Sequence, residues 1–153
     1  MFVLVPMPMK HECAEEVVTA WARLVRAEQA LLGRIEGELK EAGFPPLGWY
    51  DVLLELGRAE HGRLRPIELE KRTLLAQYNA SRLIDRMAKA SLVRREAHPE
   101  DGRGQWVSIT PEGRALQKRM WRVYGAAIAT HVGSKLQRSE AGQLAALLAK
   151  LIA

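Results

Sequence analysis

The stretch HPEDGRGQWVSIT, His98 to Thr110, decides how this chain is read. It opens on a cluster of turn formers, Pro99-Glu100-Asp101-Gly102-Arg103-Gly104. It closes on an alternating run in which Trp106, Ser108 and Thr110 face one way and Val107 and Ile109 the other. Gly102 and Gly104 supply the backbone freedom a tight turn needs and leave Arg103 room to project at the tip. Leu92 to Glu96, just upstream, reads as a partner strand. The segment is therefore a β-hairpin set in a chain whose other segments carry helical spacing. Taken by itself such a tip is an ordinary surface turn, and its neighbours are what give it a role.

Upstream, Pro66 suits the first position of a short helix, with Ile67 and Leu69 expected to be buried. A longer helix is expected from Gln77 to Ala90. Ala80, Leu83, Ile84 and Met87 share one face; Tyr78, Arg82, Asp85, Arg86 and Lys89 take the other, with Asn79 and Ser81 on the flanks. Two short helices followed at once by a hairpin is the order of a winged helix-turn-helix. A helix of this width fits the major groove of DNA, where Gln, Asn and Arg can make paired hydrogen bonds to base edges. An arginine on the hairpin tip can enter the adjacent minor groove, drawn by its negative potential. Gln77, Asn79 and Arg82 are thus the expected base readers, and Ser81, Arg86 and Lys89 the expected phosphate contacts. Arg103 is the expected minor-groove contact. Asp101 can fix its direction or accept from turn N–H groups.

Helices flank this lobe. Glu12 to Ala42 places Val17, Trp21, Leu24, Leu31, Ile35 and Leu39 at three- and four-residue intervals, and Gly43 with Pro45-Pro46 ends it. Leu47 to Ala59 reads as a second helix with Val52, Leu53 and Leu56 inward, and HGRLR as a loop. Thr110 followed by Pro111 is an N-cap for a helix running to about Val132. Ser139 is positioned to cap a last helix burying Leu144, Leu147, Leu148 and Leu151. The expected fold is mainly α, a winged helix-turn-helix with a two-stranded hairpin wing.

The totals fit a globular protein: 153 residues, 48% apolar and 27% charged, which excludes a disordered or collagen-like chain. The formal net charge is +5, and nine Lys and Arg against three acids between Arg63 and Arg95 account for all of it. A basic face of this kind suits nucleic acid, although it is also what an ordinary solvated surface looks like. Cys13 is the single cysteine, so no internal disulfide can form and a reducing cytoplasm is expected. The opening MFVLVPMPMK is short, broken by Pro6 and Pro8 and without a basic start, which reads as an arm or strap across a partner subunit, not a secretory signal. No apolar run is long enough for a bilayer span, so no membrane association is expected. His11, His61, His98 and His131 lack zinc-site spacing. No phosphate-binding glycine loop, nucleophile elbow or carboxylate pair appears, so neither cofactor nor enzymatic activity is expected.

The run LIDRMAKASLVRREAHPEDGRGQWVSITPEGRAL, from Leu83 to Leu116, resembles the reading-helix end, wing and following helix of the MarR family of bacterial transcription regulators. Asp101-Gly102-Arg103 matches the family's Asp-x-Arg wing pattern, SITPEGRAL its strand exit, and the long terminal helices its dimerisation arms. The resemblance covers nearly the whole chain. It implies a homodimer in which residues 12–42 and 111–153 pair the subunits and residues 47–110 form the DNA-binding lobe. It also implies a pseudo-palindromic double-stranded operator, repression of a nearby promoter, and release by small aromatic or anionic effectors. The chain departs from the family pattern in three places. QYNASRL replaces the small hydroxyl residues that usually open the reading helix. Ser91 stands where glycine is usual, and Gly102 where a second arginine is common.

An effector pocket is expected where the dimer arm meets the DNA-binding lobe, with Trp21, Trp49, Tyr50 and His131 as candidate lining, although Trp49 and Tyr50 equally suit the core of the second helix. Cys13 offers a redox-sensing alternative, but it lies about two turns earlier than the sensing cysteine of relatives and no tyrosine flanks it. A winged-helix module that binds protein and has no operator of its own is the other alternative.

Overall fold

The structure, a computed structural model, describes residues 12–74, 79–97 and 104–153. The N-terminal arm, the first residues of the expected reading helix with Gln77 and Tyr78, and the hairpin tip with Asp101 and Arg103 lie outside the described residues. The chain divides into two compact units between Gly33 and Arg34.

The elements in order are α1 (Glu15–Glu41), α2 (Leu47–Arg58), a 3-10 turn (Glu60–Gly62), β1 (Arg63–Leu64), α3 (Pro66–Arg72) and α4 (Ala80–Lys89). Then follow β2 (Val93–Ala97), β3 (Gln105–Ile109), α5 (Pro111–Ile128), a π-helical turn (Ala129–Gly133) and α6 (Arg138–Leu151). Gly43 ends α1 as its position suggests. Its φ is +80°, its N–H donates to Lys40 O at 3.0 Å, and Phe44 N–H donates to Leu39 O at 3.0 Å. These are the paired bonds of a left-handed helix stop.

The core lies in the second unit. Leu53, Leu56 and Tyr50 of α2 are buried, together with Leu39, Leu64, Leu69, Ile84, Met87, Val93, Val107 and Met120. Each such side chain removed from water stabilises the fold by about 1.5–3 kcal/mol. α2 packs on α5, α3 and β3, and α4 packs on β2 and α3. The helix-turn-helix pair and the wing therefore share one hydrophobic base.

Five expectations are corrected. HGRLR is not all loop: Arg63 and Leu64 pair with Ser108 and Val107, making an antiparallel sheet of three strands in the order β1-β3-β2. Ile67 is exposed while Leu69 is buried, because the short α3 turns only one face inward. α4 starts at Ala80, three residues later than expected, with Asn79 as its N-cap. α6 starts at Arg138, where Gln137 N–H donates to Glu140 Oε1 at 2.9 Å, so Ser139 is not the cap. Its Leu144, Leu147 and Leu151 are exposed within one chain, as are Val17 and Trp21 of α1.

The exit from α4 is built around one side chain. Ser91 sits at φ +61°, with its N–H on Ala88 O and Leu92 N–H on Met87 O, both at 3.0 Å. Thr110 Oγ1 donates to Ser91 O at 2.7 Å and accepts from Gly113 N–H at 3.0 Å, and Thr110 N–H donates to Leu92 O at 3.1 Å. One buried threonine thus joins the end of α4 to the start of α5. Gly113 is required there: a Cβ would lie 2.2 Å from Leu92 O and 2.9 Å from Ile109 Cγ1. Among the described residues no helix is long and apolar enough to cross a membrane.

Two stability changes of opposite sign follow, both read by thermal or urea unfolding. Ser91→Gly should stabilise by about 1 kcal/mol, by relieving the left-handed strain of a residue with a Cβ. Gly113→Ala should destabilise by about 3 kcal/mol, because the clash is with backbone.

Candidate nucleic-acid interface

α4 buries Ile84 and Met87 and turns Ser81, Arg82, Arg86 and Lys89 to solvent. That division is the one its helical spacing dictates. Among the described residues Arg82, Arg86 and Lys89 form no ion pair. Asn79 is committed in part: its Oδ1 accepts Arg82 N–H at 3.3 Å as the helix cap. A paired bond to adenine needs both the oxygen and the nitrogen of an asparagine amide. An amide oxygen has two lone pairs, so the cap leaves Asn79 one acceptor site and its NH2 donor to offer.

The residue that organises this face was not among those expected from the sequence. Arg95 of β2 reaches Asp85 Oδ1 at 2.8 Å, Ser81 O at 3.1 Å and, through its other terminal nitrogen, Gln105 Oε1 at 3.2 Å. It ties two turns of α4 to both wing strands. It also neutralises Asp85, the one acid of α4, leaving the helix surface cationic. The available signal was parity. Arg95 lies two residues from the buried Val93, so strand alternation aims it toward α4, not outward.

Of the expected effector residues, Trp49, Tyr50 and His131 of the second unit do not share one cavity. Trp49 lines a small cavity of about 190 Å³ with Pro46, Asn79, Arg82 and Arg86, at the foot of α4. His131 Nε2 stands 3.3 Å from Glu38 Oε2. Trp21 belongs to the first unit and is exposed. Tyr50 alone lines the larger aromatic cavity, about 350 Å³, with Asp51, Arg58, Trp121 and Tyr124. There Tyr50 stacks on Trp121 with centroids 6.2 Å apart, meets Tyr124 edge-on at 5.1 Å, and accepts from Gln117 Nε2 at 3.3 Å. Burial first, then the Asp51 carboxylate, Tyr50 and Glu36, push the Tyr124 hydroxyl above the usual phenol range, so it stays a proton donor at neutral pH. Trp121 and Tyr124 were missed; their three-residue spacing on α5 was the available clue.

The floor of this cavity connects to the helix-turn-helix. Asp51 is buried and its Oδ2 accepts Leu74 N–H at 3.0 Å, just beyond the end of α3. Cys13 is exposed. Among the described residues no group of His, Cys, Asp or Glu has the arrangement of a metal site.

A model of the MarR family matches residues 42–104, which span α2 through β2 and end just before β3. The chain is 35% identical over 68 residues to the HTH-type transcriptional repressor YetL of Bacillus subtilis (strain 168), a match covering 44% of this chain and 41% of that protein. The match thus spans well under two thirds of that relative's length. Among solved structures, Sco3205 from Streptomyces coelicolor, a MarR family transcriptional regulator in complex with DNA, superposes with TM-score 0.82 at 26% identity, over 95% of this chain and 91% of that one. BpsR of Bordetella bronchiseptica, whose DNA binding is regulated by 6-hydroxynicotinic acid, shares the fold with TM-score 0.76 at 23% identity, over 88% and 99% of the two chains. Family match, curated relative and the superposition on Sco3205 agree with the winged helix-turn-helix built above, and residues 42–104 carry the pattern of the MarR family.

Proposed function

We propose that this protein is a homodimeric, cytoplasmic, sequence-specific DNA-binding repressor that a small aromatic ligand releases from its operator. The observation that carries the reading is the cationic outer face of α4, held against the wing by the Arg95 contacts. A helix so fixed meets a major groove without losing further conformational freedom, and its arginines gain from the release of counterions. Arg82 is the base reader, helped by the Asn79 amide donor. Ser81, Arg86 and Lys89 hold phosphates. Gln77, Asp101 and Arg103, which lie outside the described residues, are the further DNA contacts of this reading. The DNA complex of Sco3205 and the repressor name of YetL support the assignment. The protein binds and releases, and no catalytic role is assigned to it.

Dimerisation is supported by large apolar side chains that are exposed among the described residues: Val17, Val18 and Trp21 on α1, and Leu144, Leu147 and Leu151 on α6. A chain exposing that many large apolar groups gains by burying them against a second copy. Two copies of α4 then address two half-sites about 34 Å apart, one turn of the duplex.

The effector reading moves from the four residues first considered to the aromatic cavity of Tyr50, Trp121 and Tyr124, with Arg58 as the cation for an aromatic anion. Asp51 supplies a route to the reading helix, since it both lines this cavity and holds the Leu74 amide. Ligand binding shifts the dimer by as much as its affinity differs between the DNA-bound and free arrangements.

Selection of genomic fragments with purified protein, followed by footprinting, should return a pseudo-palindrome. On it, Arg82→Ala should cost about 1–3 kcal/mol and relax preference at one base pair, whereas Arg86→Ala should weaken binding evenly across sequences. Recovery of no fragment, with duplex affinity indifferent to both changes, contradicts the reading. For the effector, benzoate-like aromatic carboxylates should quench tryptophan fluorescence and lower operator affinity, and Trp121→Phe should remove most of the quench. Quenching unchanged by that substitution places the effector elsewhere.

A further inference from the structure

The wing sheet has a second face that the reading helix does not use. Val93 and Val107 are buried and Arg95 binds α4, so alternation turns Arg94, Glu96, Trp106 and Ser108 the opposite way. Arg63 of β1 pairs with Ser108, which also pairs with Arg94, so Arg63 and Arg94 flank one residue in a row across three strands. The Arg63 guanidinium carbon lies 4.7 Å from the centre of the Trp106 ring, and that of Arg65 lies 5.5 Å from it.

Two cations at one indole repel each other, yet both are within the range where a ring face attracts a guanidinium. Stacking occupies the guanidinium plane and leaves its N–H edges for a planar acceptor. Within the three strands the one acid is Glu96, opposite Trp106 in register, against Arg63, Arg94 and Arg95, and Arg95 is already bound to Asp85. Among the described residues Arg63, Arg65 and Arg94 form no ion pair. A small group bearing negative oxygens would relieve this repulsion. The position narrows its source. Trp106 adjoins Gln105, which pairs with Ala97 at the last rung of the described hairpin, and Arg65 immediately precedes α3. The platform therefore stands toward the turn end of the wing strands, beside any duplex the wing and α4 engage.

We propose that Arg63 and Arg65, stacked on Trp106 and assisted by Arg94, form a phosphodiester clamp that grips the DNA backbone alongside the wing. The inference rests on the duplex-binding reading above. It adds a sequence-independent contact on the outer face of the sheet, distinct from the α4 face, which would lengthen the footprint and steepen the salt dependence without altering base preference.

The test is fluorescence anisotropy of the full chain on a mixed-sequence duplex of about 40 base pairs over a salt series, since each phosphate neutralised contributes about 0.9 to the slope of log affinity against log salt. Arg63→Ala/Arg65→Ala should lower the slope by about 1.8 per protomer and weaken binding about tenfold near physiological salt. Arg63→Lys/Arg65→Lys keeps both charges and should hold the slope while losing affinity a few-fold. Equal losses in the alanine and lysine pairs, or a loss of affinity with no change in slope, would show a packing role on Trp106 and overturn the clamp. So would an alanine pair that behaves as wild type while Arg82→Ala/Arg86→Ala loses binding, an outcome that leaves the duplex-binding reading standing. A wild-type chain that binds poly-glutamate but no duplex overturns both.

Discussion

The guanidinium of Arg95 is the contact on which the arrangement turns. α4 is short, ten residues, and a helix of that length has little stability apart from its packing. Its buried side supplies Ile84 and Met87, which fix its depth on the core but constrain its rotation and slide less. Arg95 adds polar contacts at Ser81 O and Asp85, one turn apart, and a third to Gln105 on the neighbouring strand. Charge-assisted bonds of this kind are directional as well as strong. Their consequence is geometric: they tie helix and wing together, so the two elements keep a constant separation.

The same piece is joined to the rest of its unit by Thr110. Through Ser91 O, Leu92 O and Gly113 N–H, this buried side chain and its backbone connect the end of the reading helix with the first turn of α5. α5 in turn carries Trp121 and Tyr124 against Tyr50. A change in how α5 packs around its aromatic cavity has a path of contiguous hydrogen bonds to α4 through this junction, and Asp51 ties the same cavity to Leu74 just beyond α3. The strained Ser91 sits at the point where the Thr110 junction meets the helix, where a glycine would be easier for the backbone.

Much of this was legible in the sequence because it is written locally. Gly43, Pro66 and the Thr110-Pro111 pair mark element ends through backbone chemistry that acts within a few residues. The 3.6-residue period of α4 separates its buried and cationic sides without reference to anything distant. What escaped depends on partners far along the chain. Arg63 and Leu64 are too few to show alternation, and they become a strand only because β3 presents an open edge. Arg95 reads as one more basic residue until strand parity aims it at Asp85. Periodicity identifies the apolar stripes of α1 and α6 but cannot say whether the covering surface belongs to the same chain, so Leu144, Leu147 and Leu151 were expected inside and stand exposed. The effector residues were the least legible, since a cavity is defined by several elements at once and only Tyr50 of the four lines the aromatic one.

The central claim is that the outer face of α4, fixed to the wing by Arg95, is where duplex DNA binds. Hydrogen–deuterium exchange of the full chain with and without its selected operator duplex tests this most directly, because a ligand raises the opening free energy of the segments it holds. The account predicts slowed exchange concentrated in residues 80–89 and in the strands of the wing, largely abolished by Arg95→Ala. Protection confined to α6 or to the aromatic cavity, with α4 exchanging as fast as in the free protein, would contradict it.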